Sequence, residues 1–217
     1  MITTPDKLSP KKQVFEKLAI EKEFWSRGLM RVAGLDEAGR GCLAGPVCAA
    51  VVVLKPFTEI AGVDDSKKLN PKKRDELYDR ICDEALAYAV SMVEVEEIDR
   101  INILQASLLA MSHCVHKLNE VPEQLLIDGN QKIALTIPQK TVVDGDSLSM
   151  SIGAASILAK VTRDRYMIRL DEEFPEYSFA QHKGYGTSQH LKALHKHGPS
   201  RHHRKSFAPV AQLSLLL

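Results

Sequence analysis

Three short apolar segments of this chain end in acid. One runs into Asp36-Glu37 within GLDEAGRG, one into Asp128 within LLIDGN, and one into Asp146 within VVDGDS. Each segment is brief and rich in branched residues, the signature of a buried strand. Asp128 is followed by glycine and Asp146 preceded by it, which lets the backbone turn sharply there. A single Asp-Gly pair is an ordinary turn signal; three acid-terminated strands in one chain point to a shared site. Carboxylates at neighbouring strand ends converge, and four like charges repel unless a cation sits among them. Hard oxygen ligands select Mg²⁺ or Mn²⁺. Such a cluster suits phosphodiester hydrolysis by two ions roughly 4 Å apart. Asp36 and Glu37 are sequence neighbours, so they share a site only if the strand ends or bulges at that point.

The remaining pattern places these segments in an α/β frame. An amphipathic helix is expected over Pro10 to Arg27, with Phe15, Leu18 and Trp25 near one face. Strands are expected over Arg31 to Asp36, Val47 to Leu54 and Ala87 to Val95. Asn70-Pro71 opens a helix to about Asp83, as N-cap and first helical residue. Further helices are expected over Ile103 to Leu118, Ser151 to Tyr166, and Ser188 to His197, the last stopped by Gly198-Pro199. Short strands fall at Leu125 to Asp128 and Thr141 to Asp144. A mixed sheet flanked by helices follows. At 217 residues, 44% hydrophobic and 26% charged, the chain can bury one substantial core.

Composition excludes several classes. Cys42, Cys48, Cys82 and Cys114 lack the C-x-x-C spacing of a zinc or redox site and read as small buried hydrophobes in a reducing, cytoplasmic setting. The opening residues lack the apolar stretch of a signal peptide. The run Val47 to Leu54 is too short to span a bilayer, so no membrane role is expected. Net charge is +1, yet after Glu176 there is no acid, and six Lys/Arg with six of the eight His fall between Gln181 and Ser206. That block is either a solvated face or a surface for phosphates. Gly39-Arg40-Gly41-Cys42-Leu43-Ala44 fits a dinucleotide-binding pattern, with Asp64 twenty residues on. A helix should begin there, however, whereas Pro46 and the β-branched run predict a strand. Asp36 and Glu37 would also repel a pyrophosphate.

The order of several longer blocks resembles a known family. GLDEAGRG-x-LAGPV at Gly34 to Val47 is similar to the opening signature of type 2 ribonucleases H, bacterial ribonuclease HII in particular. DDSKKL at Asp64 to Leu69, IDGN at Ile127 to Asn130, SIGAASILAKVTRD at Ser151 to Asp164, HKGYGT at His182 to Thr187 and HGPSRHHRKSFAPV at His197 to Val210 continue it in family order. The resemblance implies a ribonuclease H-like α/β fold with a helical C-terminal part over residues 14–210, after a flexible 1–13. It implies metal-dependent cleavage 5′ to a ribonucleotide, in RNA–DNA hybrids and at single ribonucleotides in duplex DNA, leaving 3′-hydroxyl and 5′-phosphate ends. The family's four acids fall on Asp36, Glu37, Asp128 and Asp146. Its Gly-Arg-Gly motif, whose backbone reads the ribose 2′-hydroxyl, falls on Gly39, Arg40 and Gly41. Its tyrosine that packs on the following deoxyribose falls on Tyr185. The family suggests a monomer.

Two positions depart from the family: Cys42 stands where proline is usual, and Asp144 where a lysine commonly precedes Gly-Asp. Lys67, Lys68, Lys160, Arg163 and Lys183 lie in the matching blocks as candidate phosphate contacts. Lys67 and Lys183 are the two taken as substrate-binding. His113 and His116 read as plain helix residues. A non-catalytic duplex-binding module is the other class to weigh, but it gains nothing from four acids beside phosphate. The tail at residues 211–217 is apolar. Gln212-Leu213-Ser214-Leu215-Leu216-Leu217 is similar to the short peptides by which repair proteins dock on the sliding clamp, although phenylalanine is usual near Leu216. The other reading folds these leucines back onto the domain.

Overall fold

The structure, a computed structural model, describes residues 17–63 and 69–214. In chain order the elements are α1 (Ala19–Trp25), β1 (Val32–Ala38), β2 (Val47–Leu54), α2 (Pro71–Glu84), β3 (Ala85–Val93), α3 (Val95–Ile101), α4 (Ile103–His116), β4 (Gln124–Asp128), β5 (Gln139–Val142), α5 (Gly145–Leu148), α6 (Met150–Glu173), α7 (Phe179–His182), α8 (Ser188–His197) and α9 (Ala208–Ser214), with a 3₁₀ turn at Pro175–Tyr177. The sheet order is β3-β2-β1-β4-β5. β1 pairs antiparallel with β2 and parallel with β4, β2 antiparallel with β3, and β4 parallel with β5. This is the mixed sheet the sequence predicts.

Both faces of the sheet are covered. All eight residues of β2 are buried, which explains its unbroken apolar run. On one face, Ile152, Ala155, Ile157 and Ala159 of α6 pack with Val32, Ala50 and Val52. On the other, Ala106, Ala110, Met111 and Cys114 of α4 meet Leu35, Val51 and Val53. Gly34 lets α6 come close: a Cβ there would stand 2.2 Å from the Ser151 carbonyl carbon. Ser149 caps α6 by accepting from the Ile152 amide, and its hydroxyl donates to the buried Glu21 of α1. The parallel strands β1, β4 and β5 end at one edge of the sheet, the edge at which open α/β sheets place ligands.

Several expected boundaries move. β1 continues two residues past Asp36 without a bulge, with Glu37 opposite Ala49 and Ala38 opposite Cys48. β3 starts and stops two residues early, because Val95 belongs to α3, a helix the sequence reading did not anticipate. β5 likewise ends at Val142, and Asp144 takes a left-handed φ of 54° before α5. Asp146 therefore sits in the first turn of a short helix rather than at a strand end. α6 runs on to Glu173, and α8 matches its expected span. The described part of the first helix is Ala19–Trp25. Residues 1–13, Asp64, Lys67, Lys68 and Leu215 to Leu217 lie outside the described residues. Among the described residues, no helix is long and apolar enough to cross a membrane. Of the four free cysteines, Cys42, Cys48 and Cys114 are buried.

The C-terminal segment is helical through Ser214. Leu213 packs beside Leu43, Leu194 and Val210, while Gln212 is exposed. To that extent the tail folds back onto the domain.

Candidate active site

Asp36 and Glu37 share a site without any break in β1. Residues on one strand alternate between faces: Val32 and Gly34 face α6 as Asp36 does, and Ala33 and Leu35 face α4 as Glu37 does. The pairing of β1 with β4 stops at Leu35 opposite Ile127. Beyond that point the edge is open, and a cleft there is reached from both faces. Asp36, Glu37, Ala38, Gly39, Arg40, Gly41, Asp128, Ser156, Lys160 and Tyr185 line this cleft, of about 350 Å³.

The carboxylates are held differently. Asp36 is buried, and its Oδ1 accepts the Glu37 amide at 2.6 Å. Burial, then the nearby charges of Glu37 and Asp128, pushes its carboxyl well above the usual carboxylate range, against the hydrogen bonds from Ser156 and the Glu37 amide. Glu37 forms an ion pair with Arg40 at 3.1 Å. Asp128 accepts the Gly145 amide at 2.8 Å. Asp146 does not line the cleft; it follows Gly145 on α5, one residue beyond that hydrogen bond. Among the described residues, no three His, Cys, Asp or Glu side chains stand close enough to hold an ion as placed. The chemistry of the donor set nevertheless fits a hard divalent cation. The donors in the cleft are carboxylate oxygens, and their mutual crowding at Asp36 is the kind that a cation relieves.

Behind the Gly39-Arg40-Gly41 loop lie two buried arginines, Arg204 bonding the loop itself and Arg163 the chain beside it. Arg204 donates to the carbonyls of Gly39 at 2.7 Å, Arg40 at 2.9 Å and Gly45 at 2.9 and 3.0 Å. Arg163 donates to Pro46 at 2.9 Å, Ala44 at 3.0 Å and Lys183 at 2.9 Å. A trans peptide points its N–H opposite to its carbonyl, and the chain has no cis bonds among its described residues. With the Gly39 and Arg40 carbonyls turned in to Arg204, the Arg40 and Gly41 amides point away from it. Gly39 has φ +96°, and a Cβ there would lie 2.0 Å from Arg163 Nε; only glycine fits that left-handed position against the guanidinium.

This corrects two expectations. Arg163 is not a phosphate contact but a wholly buried clamp. The basic block is not one uniform surface: His182, His190, His203 and Arg204 are buried, whereas Lys192, His195, Lys196, His197, Arg201 and Lys205 are exposed. Tyr185, by contrast, is 40% exposed at the mouth of the cleft, with Lys160 Nζ 5.7 Å from its ring centroid. Lys183 lines an adjoining groove with Arg74, Lys160, Asp164 and Tyr185 rather than the acid-lined cleft. His113 and His116 are exposed residues of α4, as expected, and Asp144 is exposed beside α5.

Ser156 and Arg204 were not singled out in the sequence. Ser156 stands four residues before Lys160 in α6, a spacing that puts both on one helix face, so the pair was findable. Arg204 was hidden within a charge run, where nothing marks which member turns inward.

The family model described as Ribonuclease HII matches residues 33–210. The ribonuclease HII of Desulfitobacterium hafniense is 54% identical over 192 residues, 88% of this chain and 74% of that protein. The ribonuclease HII of Paraburkholderia xenovorans is 56% identical over 187 residues, 86% of this chain and 75% of that protein. The chain belongs to the ribonuclease HII family. Its class of activity is accordingly that of a ribonuclease H, a hydrolase. Among solved structures, the ribonuclease H2 of Pyrococcus horikoshii superposes with a TM-score of 0.72 at 24% identity, covering 86% of this chain and 98% of that one, a likeness of fold. The ribonuclease HII of Archaeoglobus fulgidus, solved in complex with PCNA, gives 0.67 at 26% identity over 80% of this chain and 93% of that one. The ribonuclease H core is the five-stranded sheet with α4 and α6 on its faces, and the ribonuclease HII match also takes in the buried Arg204.

Proposed function

We propose that this ribonuclease HII hydrolyses the phosphodiester 5′ to a ribonucleotide, in RNA–DNA hybrids and at single ribonucleotides embedded in duplex DNA, leaving 3′-hydroxyl and 5′-phosphate ends. One observation carries the reading: Asp36, Glu37 and Asp128 line the same cleft as the Gly39–Gly41 backbone and Tyr185. Acids for phosphodiester chemistry thus stand beside donors able to read a 2′-hydroxyl, the group that separates RNA from DNA. Asp36, Glu37, Asp128 and Asp146 would hold Mg²⁺ or Mn²⁺, with Asp146 brought in from α5. When bound, the ions supply an activated water and charge neutralisation at the phosphate. The chain's own residues do the rest. The Arg40 and Gly41 amides, fixed through Arg204, hold the ribose. Tyr185 stacks on the sugar that follows. Lys160 and Lys183 neutralise phosphates along the groove, and Lys67 of the DDSKKL block is a further candidate phosphate contact on the family resemblance.

An assay on a duplex with one ribonucleotide, run with each metal and with EDTA, tests this reading; cleavage that survives EDTA would refute the metal-dependent mechanism. Tyr185→Ala should reduce cleavage at an isolated ribonucleotide more than within a long hybrid, because only the isolated site depends on the junction. Equal losses on both substrates would show that Tyr185 does not read the junction.

The free, mostly buried thiols favour work in the reducing cytoplasm, and the family resemblance suggests a monomer that removes stray ribonucleotides from DNA. The Archaeoglobus relative was solved with PCNA, which favours a second, additional role for the tail from Gln212 to Leu217 as a clamp-docking peptide. Gln212 is exposed for it; Leu213 would have to leave its packing. Titrating a purified sliding clamp with the full chain and with a form ending at Val210 decides the matter: binding lost on truncation is expected, and indistinguishable titrations would refute it.

A further inference from the structure

Three buried histidines lie behind Tyr185, and the hydrogen bonds fix the proton positions of all three. The Ser200 amide lies 3.0 Å from His203 Nδ1, and an amide can only donate. The Ser200 hydroxyl is 2.9 Å from the same nitrogen. His203 Nδ1 is therefore the acceptor, and the proton of that ring is on Nε2. His203 Nε2 is 3.0 Å from His190 Nε2, so His190 accepts there and carries its own proton on Nδ1. His190 Nδ1 is 2.9 Å from the Tyr185 carbonyl, which can only accept. One proton arrangement satisfies every link. His182 stacks on His190 with ring centroids 4.4 Å apart. It is fixed in the same way: its Nδ1 accepts the Gly184 amide at 3.2 Å, and its Nε2 donates to the Tyr177 carbonyl at 2.8 Å.

The chain of bonds starts beside the clamp on the other reader. Segment Ser200–Arg204 carries His203 and, next to it, Arg204, which holds Gly39, Arg40 and Gly45. His203 also bridges Ala44, and the His202 carbonyl accepts the Gly45 amide at 2.8 Å. One segment therefore sets two things at once: the Gly39–Gly41 loop through Arg204, and the Tyr185 backbone through His203 and His190.

We propose that His203 and His190 are positioning residues, a relay of two neutral rings that fixes Tyr185 relative to the Gly39–Gly41 loop and so sets the preference for an isolated ribonucleotide. The proposal rests on the reading of Tyr185 given above. Neither ring touches the cleft, so their effect passes through Tyr185. A proton added to either ring would break the chain, since each ring has one nitrogen that must accept. In keeping with that, burial holds His190 down to about 4 and His203 to about 3.

Two measurements test this. In the wild-type protein, long-range ¹H–¹⁵N spectra should show His190 as the Nδ1–H tautomer and His203 as Nε2–H, neither titrating near the ordinary histidine value of about 6.5. His190 found as Nε2–H, or charged near that pH, would overturn the relay before any substrate is involved. In kinetics, His190→Phe keeps the ring bulk and removes both hydrogen bonds. It should lower kcat/KM at a single ribonucleotide roughly five- to tenfold, the range one hydrogen bond supplies, with a smaller loss on a long hybrid. Combined with Tyr185→Ala it should add nothing. His190→Asn, whose amide nitrogen can take the place of Nδ1 toward the Tyr185 carbonyl but cannot reach His203, should restore only part of the preference, which mere loss of packing would not allow. Lost preference in Tyr185→Ala but not in His190→Phe overturns the proposal. Unchanged preference in both variants overturns the Tyr185 reading instead, with the tautomers still deciding whether the relay exists.

Discussion

Asp36→Asn is expected to lower turnover by several orders of magnitude while raising the melting temperature of the metal-free protein. The two effects have one cause. Asp36 is buried on the α6 face of β1, and burial together with Glu37 and Asp128 raises its carboxyl well above the usual range. A raised folded-state value means that folding disfavours the ionised form; at neutral pH the charge is a cost to the native state, relieved only as the pH falls and the group protonates. Asparagine removes that charge at every pH. Its carbonyl can still accept the Glu37 amide, now bonded at 2.6 Å, and its amide can face the remaining carboxylates. The same change deletes a ligand charge from the proposed metal site, and with it the ion's hold on water and phosphate. Mg²⁺ or Mn²⁺ should therefore stabilise the native chain, by mass action, more than the variant. Cleavage of a labelled hybrid and thermal melts with and without EDTA measure both effects. Wild-type turnover in the variant would sink the assignment of Asp36, and a lowered melting temperature without metal would show that crowding at Asp36 is not what the native state suffers.

Much of this arrangement was legible in the sequence, and the rest was not, for reasons of physics. The apolar run of β2, the Asn70-Pro71 start of α2 and the Gly198 stop of α8 are local signals, set by burial and by backbone chemistry within a few residues. They fell where expected. β5 slid by two residues because Val143, apolar but exposed, carries no sign that the sheet has already ended. With it, Asp146 moved from a strand end to a helix turn. The requirement that the strand end or bulge at Asp36-Glu37 assumed a site lying on one face of the sheet; β1 does neither, and a site where its pairing with β4 stops needs neither. The basic block misled most. Charge patterning treats lysine, arginine and histidine as solvated groups, and only tertiary contacts reveal that Arg163, Arg204 and three histidines serve backbone carbonyls and one another.

Arg204→Ala is the test of that hidden half of the site, and it should be among the most destabilising single changes available outside the sheet. Arg204 is wholly buried, and among the described residues it makes no ion pair; burial lowers its guanidinium to about 10, so it stays charged at neutral pH. Its stability rests on the carbonyls of Gly39, Arg40 and Gly45. Alanine leaves the Arg40 and Gly45 carbonyls without a donor and the Gly39 carbonyl with only the Cys42 amide at 3.4 Å. At about 1–3 kcal/mol for each buried unsatisfied group, the loss is roughly 2–6 kcal/mol if no water enters, against a total of about 5–15 kcal/mol for a typical domain. Arg204→Lys should be intermediate, since one ammonium cannot reach three carbonyls as a planar guanidinium does. Arg40→Ala provides the contrast within the same motif. Its side chain is exposed and, among the described residues, paired only with Glu37, so its removal should cost about 1 kcal/mol or less. Urea unfolding of the three variants ranks them. If Arg204→Ala unfolds at the same midpoint as Arg40→Ala, the loop is held by its own glycines and the inward arginine is incidental. If instead the large loss appears, the Gly39–Gly41 amides face the cleft because a residue 163 positions away along the chain (Arg204 after Gly41) pulls the carbonyls behind them inward.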